Sequence, residues 1–180
     1  MQVGGIAANE RRYDDAEYAL ERARAYRPAS PLPDHALAVI AAQRGDPAGA
    51  LTRFQALLDR IEAAGASGER IAANIVQLTA MLGQLAEARK VADRWIPRTR
   101  RSGRRLVLGN LLAAGAAVAL LQDDLDAFDG WSREAAAVWR DTGRPDPDLA
   151  SLLDLAAGHP DADRSAVARE LADVARASTR

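Results

Sequence analysis

Histidines, carboxylates and arginines are the residues of this sequence that could do chemistry, so their spacing is considered first. The two histidines, His35 and His159, lie far apart, and neither stands in an Asp/Glu/His set with metal-ligand spacing. The chain has no cysteine, which excludes a thiol nucleophile and a thiolate metal site. We expect both histidines to be solvated or structural, with His35 able to face a groove and His159 in a turn.

An acidic run, Asp123, Asp124, Asp126 and Asp129 followed by Gly130, invites comparison with a calcium loop. Counted from Asp124, carboxylates fall at the first, third and sixth places, but Ala135 stands at the twelfth, where a bidentate Glu belongs. The ligand spacing therefore fails. The run is instead predicted to begin a helix, because acidic residues are favoured at the positive end of the helix dipole.

The remaining catalytic signatures are missing from the sequence. It contains no Gly-rich phosphate loop, no helix with paired histidines and no nucleophile elbow. We therefore expect no catalytic residue, no metal, no cofactor and no enzymatic activity.

A basic run places eight cations in the 17 residues 89–105, most of them in what is predicted to be a connector. Such a density could contact an acidic protein segment or phosphates, and it could also be a solvated face. The formal net charge of -1 argues against bulk attraction to nucleic acid, which we do not expect as a partner. The candidate surface, named here the basic edge, consists of Arg94, Arg98, Arg100, Arg101, Arg104 and Arg105.

Composition indicates a helical protein outside the membrane. Aromatic residues are only 4% of the chain while the apolar class is 48%, so the core must be built mainly from small and aliphatic side chains that let helices approach closely. The longest apolar run, Leu111 to Leu121, is far shorter than the roughly 20 residues that span a bilayer. The N-terminus lacks the pattern of a secretory signal. We expect a cytoplasmic protein with no membrane contact.

A pattern of apolar and small residues with steps of three, four and three recurs four times, as expected for one face of a helix. Each copy predicts the second helix of an antiparallel pair, preceded by a turn. The turns are predicted at Arg11-Arg12, Gly45-Asp46-Pro47, Gly83 and Asp123-Asp124. The four copies are Tyr13, Ala16, Leu20 and Ala23; Pro47, Ala50, Phe54 and Leu57; Leu85, Ala88, Ala92 and Trp95; and Leu125, Phe128, Ser132 and Ala135.

The pattern resembles the tetratricopeptide repeat family over about residues 1 to 140; other alanine-rich helical bundles are the alternative. The resemblance implies an all-α fold, a right-handed solenoid of antiparallel helix pairs forming one domain over residues 1–180. Its units would cover about 1–30, 31–67, 68–102 and 103–141, with a C-terminal cap over 146–178. Long connections are expected at Glu62–Gly68 and Pro97–Gly103. The residues that match the family are Gly4, Tyr13, Ala16, Ala23 and Pro28; Ala38, Gly45, Asp46, Ala50 and Phe54; and Gly83 and Ala88.

The cap is predicted from local signals. Asp146 should cap a short helix over about Leu149 to Ala157, and the final helix should open at Asp161 to Asp163. Val167, Leu171 and Val174 share one stripe of that final helix, as expected of the last layer of a repeat array.

The resemblance also implies a function. Stacked helix pairs leave a concave face that suits an extended peptide or a partner helix. We predict a protein-protein interaction module or scaffold that binds a partner polypeptide through this groove or through the basic edge. Chaperone-type carboxylate binding is not expected, because Gly5 and Ala36 stand where the family has asparagines. The groove candidates are Asn9, His35, Val39, Gln43, Arg70, Gln77, Met81 and Asn110.

Other interpretations stay open. The chain could be the sensor or effector-binding segment of a LuxR-like or antibiotic-regulator-like bacterial transcriptional regulator, and thus a piece of a longer protein. The sequence also leaves open a homo-oligomer, and a groove that is filled by the chain's own C-terminal helix.

Overall fold

The computed structural model describes the backbone of residues 3–177 and the side chains of residues 12–177. Throughout this part of the chain the regular structure is helical and no strand occurs, which confirms the predicted all-α class. No helix in the described residues is long and apolar enough to cross a bilayer. The chain divides between Ile71 and Ala72 into two compact units.

The first unit contains α1 (Val3–Tyr26), α2 (Leu32–Gln43), α3 (Pro47–Ala63) and the start of α4 (Glu69–Met81). Helix α2 packs against both α1 and α3. Because α1 is continuous, the turn predicted at Arg11-Arg12 is wrong. Arginine is a good helix former. This position lacks the glycine that ends a helix, and the aspartate that caps the next one, elsewhere in the chain.

The turn between α2 and α3 confirms the Gly45-Asp46-Pro47 prediction. Gly45 adopts a φ of 84°, in the left-handed region that glycine enters at little cost. Asp46 then accepts a hydrogen bond from the Gly49 backbone N–H at 2.8 Å, and Pro47 occupies the first turn of α3. The turn sets α3 against α2 around a core that includes Leu37, Ala38, Ala50, Phe54 and Leu57.

The second unit continues α4 and adds α5 (Leu85–Ser102), α6 (Arg105–Leu121) and α7 (Leu125–Thr142). Gly83, with a φ of 76°, ends α4, as predicted. Between α6 and α7, Asp123 takes a φ of 58° and the Asp124 carboxylate accepts from the Ala127 N–H at 3.1 Å. The acidic run therefore begins a helix, as the sequence predicts.

The connection predicted at Pro97–Gly103 is wrong, because α5 runs through Pro97 and ends only at Gly103, which has a φ of 70°. Proline removes one backbone hydrogen bond from a helix interior. The helix continues nonetheless because residues before and after Pro97 are buried, namely Trp95, Ile96 and Thr99. The Thr99 hydroxyl also donates a hydrogen bond to the Trp95 carbonyl at 2.8 Å. The other predicted connection shortens to residues 64–68 because α3 extends to Ala63.

Helix α6 is the centre of the second unit. It contacts α5 and α7, and every residue from Leu111 to Leu120 is buried. Two glycines allow the close approach: a Cβ on Gly109 would lie 2.9 Å from Val138 and Trp139, and one on Gly115 would lie 3.1 Å from Ile96 and from Trp131. The small residues of α6 therefore allow the neighbouring helices to pack closely against it.

The chain ends with a 3₁₀ turn (Pro147–Leu149), α8 (Ala150–Ala156) and α9 (Ala162–Ala177), all at the positions predicted for the cap. Asp146 caps the 3₁₀ turn through the Asp148 N–H at 3.1 Å. Helix α8 packs on α6, and α9 packs on α8, α7 and α6. The predicted stripe of α9 is only partly buried, since Leu171 is enclosed while Val167 and Val174 are 39% and 42% exposed.

Candidate interaction surfaces

The groove candidates of the first unit lie on three helices. Asn9 belongs to α1 at a position where the side chain lies outside the described residues. On α2, His35, Val39 and Gln43 follow one another at four-residue steps and form a stripe that is half-buried at His35 and Val39 and exposed at Gln43. Arg70 is exposed in the first turn of α4.

His35 is a structural histidine in this arrangement. Its ring meets Phe54 of α3 edge to face, with centroids 5.4 Å apart and an interplanar angle of 71°. Burial lowers the pKa of His35 below its ordinary 6.5, and the Arg70 charge lowers that pKa further. The neutral imidazole is therefore the form that packs on α3.

We expect NMR titration to give His35 a pKa below 6.5. As pH falls, the unfolded chain takes up this proton first, so the stability contributed by neutral His35 is complete above pH 6.5 and is lost as pH falls from 6.5 towards the folded pKa. Arg70→Gln should raise the pKa only partway to 6.5, because burial is the larger cause. A His35 pKa above 6.5 would contradict this packing. The resonance is assigned with His35→Gln.

The groove candidates of the second unit behave differently. Gln77 on α4 donates to the Asp148 backbone carbonyl at 2.6 Å, and Asn110 on α6 accepts from the Trp139 indole N–H at 2.9 Å. Met81, at the end of α4, is 48% exposed. The 3₁₀ turn, α8 and α9 all contact α6, so the C-terminal segment packs against this helix. Partner binding through Gln77 or Asn110 would require these internal bonds to break.

The basic edge divides between two faces. On one face, Arg100 and Arg105 bind acidic residues of α7, and Arg89, which is not part of the basic edge, binds Asp124 just before α7. Arg100 donates to both Glu134 oxygens, with Nε at 3.0 Å, and Arg105 pairs with Asp141. These arginines cross-link helices inside the unit.

Arg89 is the most elaborate of these cross-links. Its guanidinium pairs with Asp124 at 2.7 Å and with Asp93 at 2.9 Å, and it lies 4.7 Å from the centre of the Trp131 ring. The Ala127 N–H and Arg89 both lower the pKa of Asp124. The contact ties the turn before α7 to α5.

The other face of α5 carries Arg94, Arg98 and Arg101, named here the α5 arginine stripe. The three are exposed and follow steps of four and three residues. The guanidinium carbons of Arg94 and Arg98 lie 5.6 and 5.2 Å from the centre of the ring of Trp95, which is a buried residue. Arg104 is exposed just before α6. The stripe is therefore a row of cations on a fixed helix, not a mobile connector.

Sequence analysis predicts no partner for the histidine in the C-terminal turn. His159 Nε2 lies 2.9 Å from Asp123 Oδ1, so this histidine joins the α8–α9 turn to the turn before α7. Asp129 accepts two hydrogen bonds from Arg164, at 3.0 and 2.7 Å. Within the described residues no group of three or more acidic or histidine side chains could hold a metal ion. These pairs connect the C-terminal segment to α7 and to the turn before it.

Comparison with known proteins adds evidence on the fold. No family model and no curated protein matches the chain. Among solved structures, it is similar to the crystal structure of BtubC (BKLC) from P. vanneervenii, with a TM-score of 0.63 and 19% sequence identity. The match covers 93% of this chain and 73% of that one. The likeness concerns the fold alone.

Proposed function

We propose that this chain is a tetratricopeptide-like solenoid that works as a protein-protein interaction module, and that its α5 arginine stripe binds an acidic segment of a partner polypeptide. The observation that carries the proposal is the row of three arginines on one face of α5. Arg94, Arg98 and Arg101 are exposed at steps of four and three residues, and the guanidinium groups of Arg94 and Arg98 lie beside the Trp95 ring. The three exposed residues span about 10 Å along the helix.

The stripe has the chemistry to recognise carboxylates. A guanidinium presents a planar fork of donors that matches a carboxylate in a two-point contact. Trp95 beneath Arg94 and Arg98 restricts both side chains, which lowers the entropy cost of binding. A single exposed ion pair contributes only about 0–1 kcal/mol, so the partner segment must offer several acidic residues in register.

The alternative surface, the predicted groove, has weaker support in the second unit. Gln77 and Asn110 already bond within it, and the C-terminal segment contacts α6. We therefore place partner binding at the stripe and keep the first-unit candidates, Val39 and Gln43, as a second surface to be tested.

The test is affinity capture from a cell extract with cross-linking and mass spectrometry, followed by titration of the acidic segment that the cross-links identify. A stripe variant changes Arg94, Arg98 and Arg101 to Glu. The matched control changes the exposed Arg27, Arg53 and Arg144 to Glu, which alters the net charge equally. A groove variant changes Gln43 and Gln77 to Ala. We expect the stripe variant to bind the segment at least about tenfold more weakly, with the control and groove variants close to the parent.

Several outcomes would overturn the proposal. Equal loss in the stripe and control variants would show attraction by net charge alone. Loss only in the groove variant would move the site to the groove. Retention of nucleic acid or of a small-molecule effector in place of a polypeptide would favour the regulator interpretation.

A further inference from the structure

An apolar groove of about 300 Å³ lies between α7 and α9. Its floor includes the buried Trp139 and Leu171, and its α9 side carries the exposed Val167 and Val174. Arg140 of α7 and Glu170 of α9 border it from opposite sides. A second depression, of about 260 Å³, shares Val167 and continues along α7.

Several charged residues of these two helices form ion pairs within the unit. On α7, Glu134 and Asp141 pair with arginines, and on α9 both Arg164 and Arg176 pair with aspartates. Arg140 and Glu170 line one groove, yet in the described part of the chain no ion pair of either residue is found. The groove therefore has one basic bank, one acidic bank and an apolar floor.

We propose that this groove binds the same groove of a second copy of the chain across a two-fold axis. A two-fold interface uses one patch twice, so the patch must be complementary to itself. Here the basic bank of one copy meets the acidic bank of the other, with Arg140 of one against Glu170 of the other. The two-fold axis then runs along the groove, so that α7 of one copy lies over α9 of the other and the exposed Val167 and Val174 lie within the interface.

The groove is separate from the α5 arginine stripe, so dimer formation at the groove and partner binding at the stripe can be tested independently. Polypeptide capture tests the stripe. Oligomeric state tests the groove.

The experiment measures the dissociation constant of the dimer by analytical ultracentrifugation of the intact 19.2 kDa chain. We expect the parent to form a dimer. Arg140→Glu and Glu170→Arg, each alone, should weaken it at least about tenfold, because each places like charges together twice per dimer. An equimolar mixture of the two variants should restore the parent's affinity, since both pairs are then opposite in sign. A purely structural defect in either variant could not be repaired by mixing.

The controls keep the result interpretable. Val174→Asp should give a monomer whose far-UV circular dichroism and melting temperature match the parent, because the side chain is exposed. Arg144→Glu, a charge reversal outside the groove lining, should leave the dissociation constant unchanged. A parent that stays monomeric at its highest soluble concentration overturns the proposal. So does a dimer that resists the single variants, or a mixture that restores nothing, or a monomer whose groove takes up an amphipathic peptide.

Discussion

Phe54→Ala is expected to lower the free energy of unfolding by about 3–5 kcal/mol, the largest single effect we predict. The Phe54 side chain is 1% exposed and occupies the interface between α2 and α3, where it meets the His35 ring. Truncation removes the apolar contact area and leaves a cavity that the helices can fill only in part. The loss should be measured by urea unfolding followed by circular dichroism.

The same substitution has a second, independent readout. Burial is the main cause of the lowered His35 pKa, so a cavity open to water should move that pKa back towards 6.5. Phe54→Leu is the control, because it keeps most of the volume and should cost clearly less. A loss below about 1 kcal/mol in Phe54→Ala would mean that α2 and α3 do not pack around this ring.

Gly109→Ala is expected to cost about 1–3 kcal/mol, although alanine is the better helix former. A Cβ at this position would lie 2.9 Å from the Val138 and Trp139 side chains. Since both belong to buried residues of α7, the two helices must separate or Trp139 must change rotamer. Either movement strains the hydrogen bond from Trp139 to Asn110. Urea unfolding followed by tryptophan fluorescence gives the cost.

Gly130→Ala is the matched control for this experiment. Gly130 also lies inside a helix, but a Cβ there meets nothing within 4 Å. Its replacement should stabilise the protein by up to about 1 kcal/mol, through helix propensity alone. If the two substitutions change the stability in the same direction, the close approach of α6 and α7 is not what Gly109 provides.

The two experiments distinguish local preference from packing, and the same distinction explains which sequence predictions succeed. The turns at Gly45-Asp46-Pro47, Gly83 and Asp123-Asp124 are correct because each rests on a property of the residue itself. Glycine enters the left-handed region at little cost, and aspartate caps the next helix within three residues. Neighbouring helices are not needed for either effect.

The errors occur where tertiary contacts outweigh a local signal. Pro97 suggests the end of a helix, but burial of Trp95, Ile96 and Thr99 carries α5 past it. In the reverse case, the repeat pattern suggests a turn at Arg11-Arg12, but no residue there ends a helix and α1 continues. On α9, the spacing of the apolar residues correctly predicts a helix. It does not predict which of these residues a neighbouring helix covers.

The pairings of side chains at the candidate surfaces are even harder to predict from the sequence. From the sequence, the basic edge is a single cluster of equivalent arginines. Only the structure shows that Arg100 binds Glu134 and Arg105 binds Asp141, because each of these partners lies more than 30 residues away on α7. Likewise, nothing in the sequence pairs Gln77 with the Asp148 carbonyl or His159 with Asp123.

The sequence by itself determined the helical class, the turns between α2 and α3, α4 and α5, and α6 and α7, and the position of the C-terminal helices. These follow from backbone preferences and apolar periods that act within a few residues. The tertiary structure alone decided which cations are cross-links, which amides are already bonded, and which valines stay exposed beside a groove. Those properties depend on side chains that are distant in sequence, and packing is what brings them into contact.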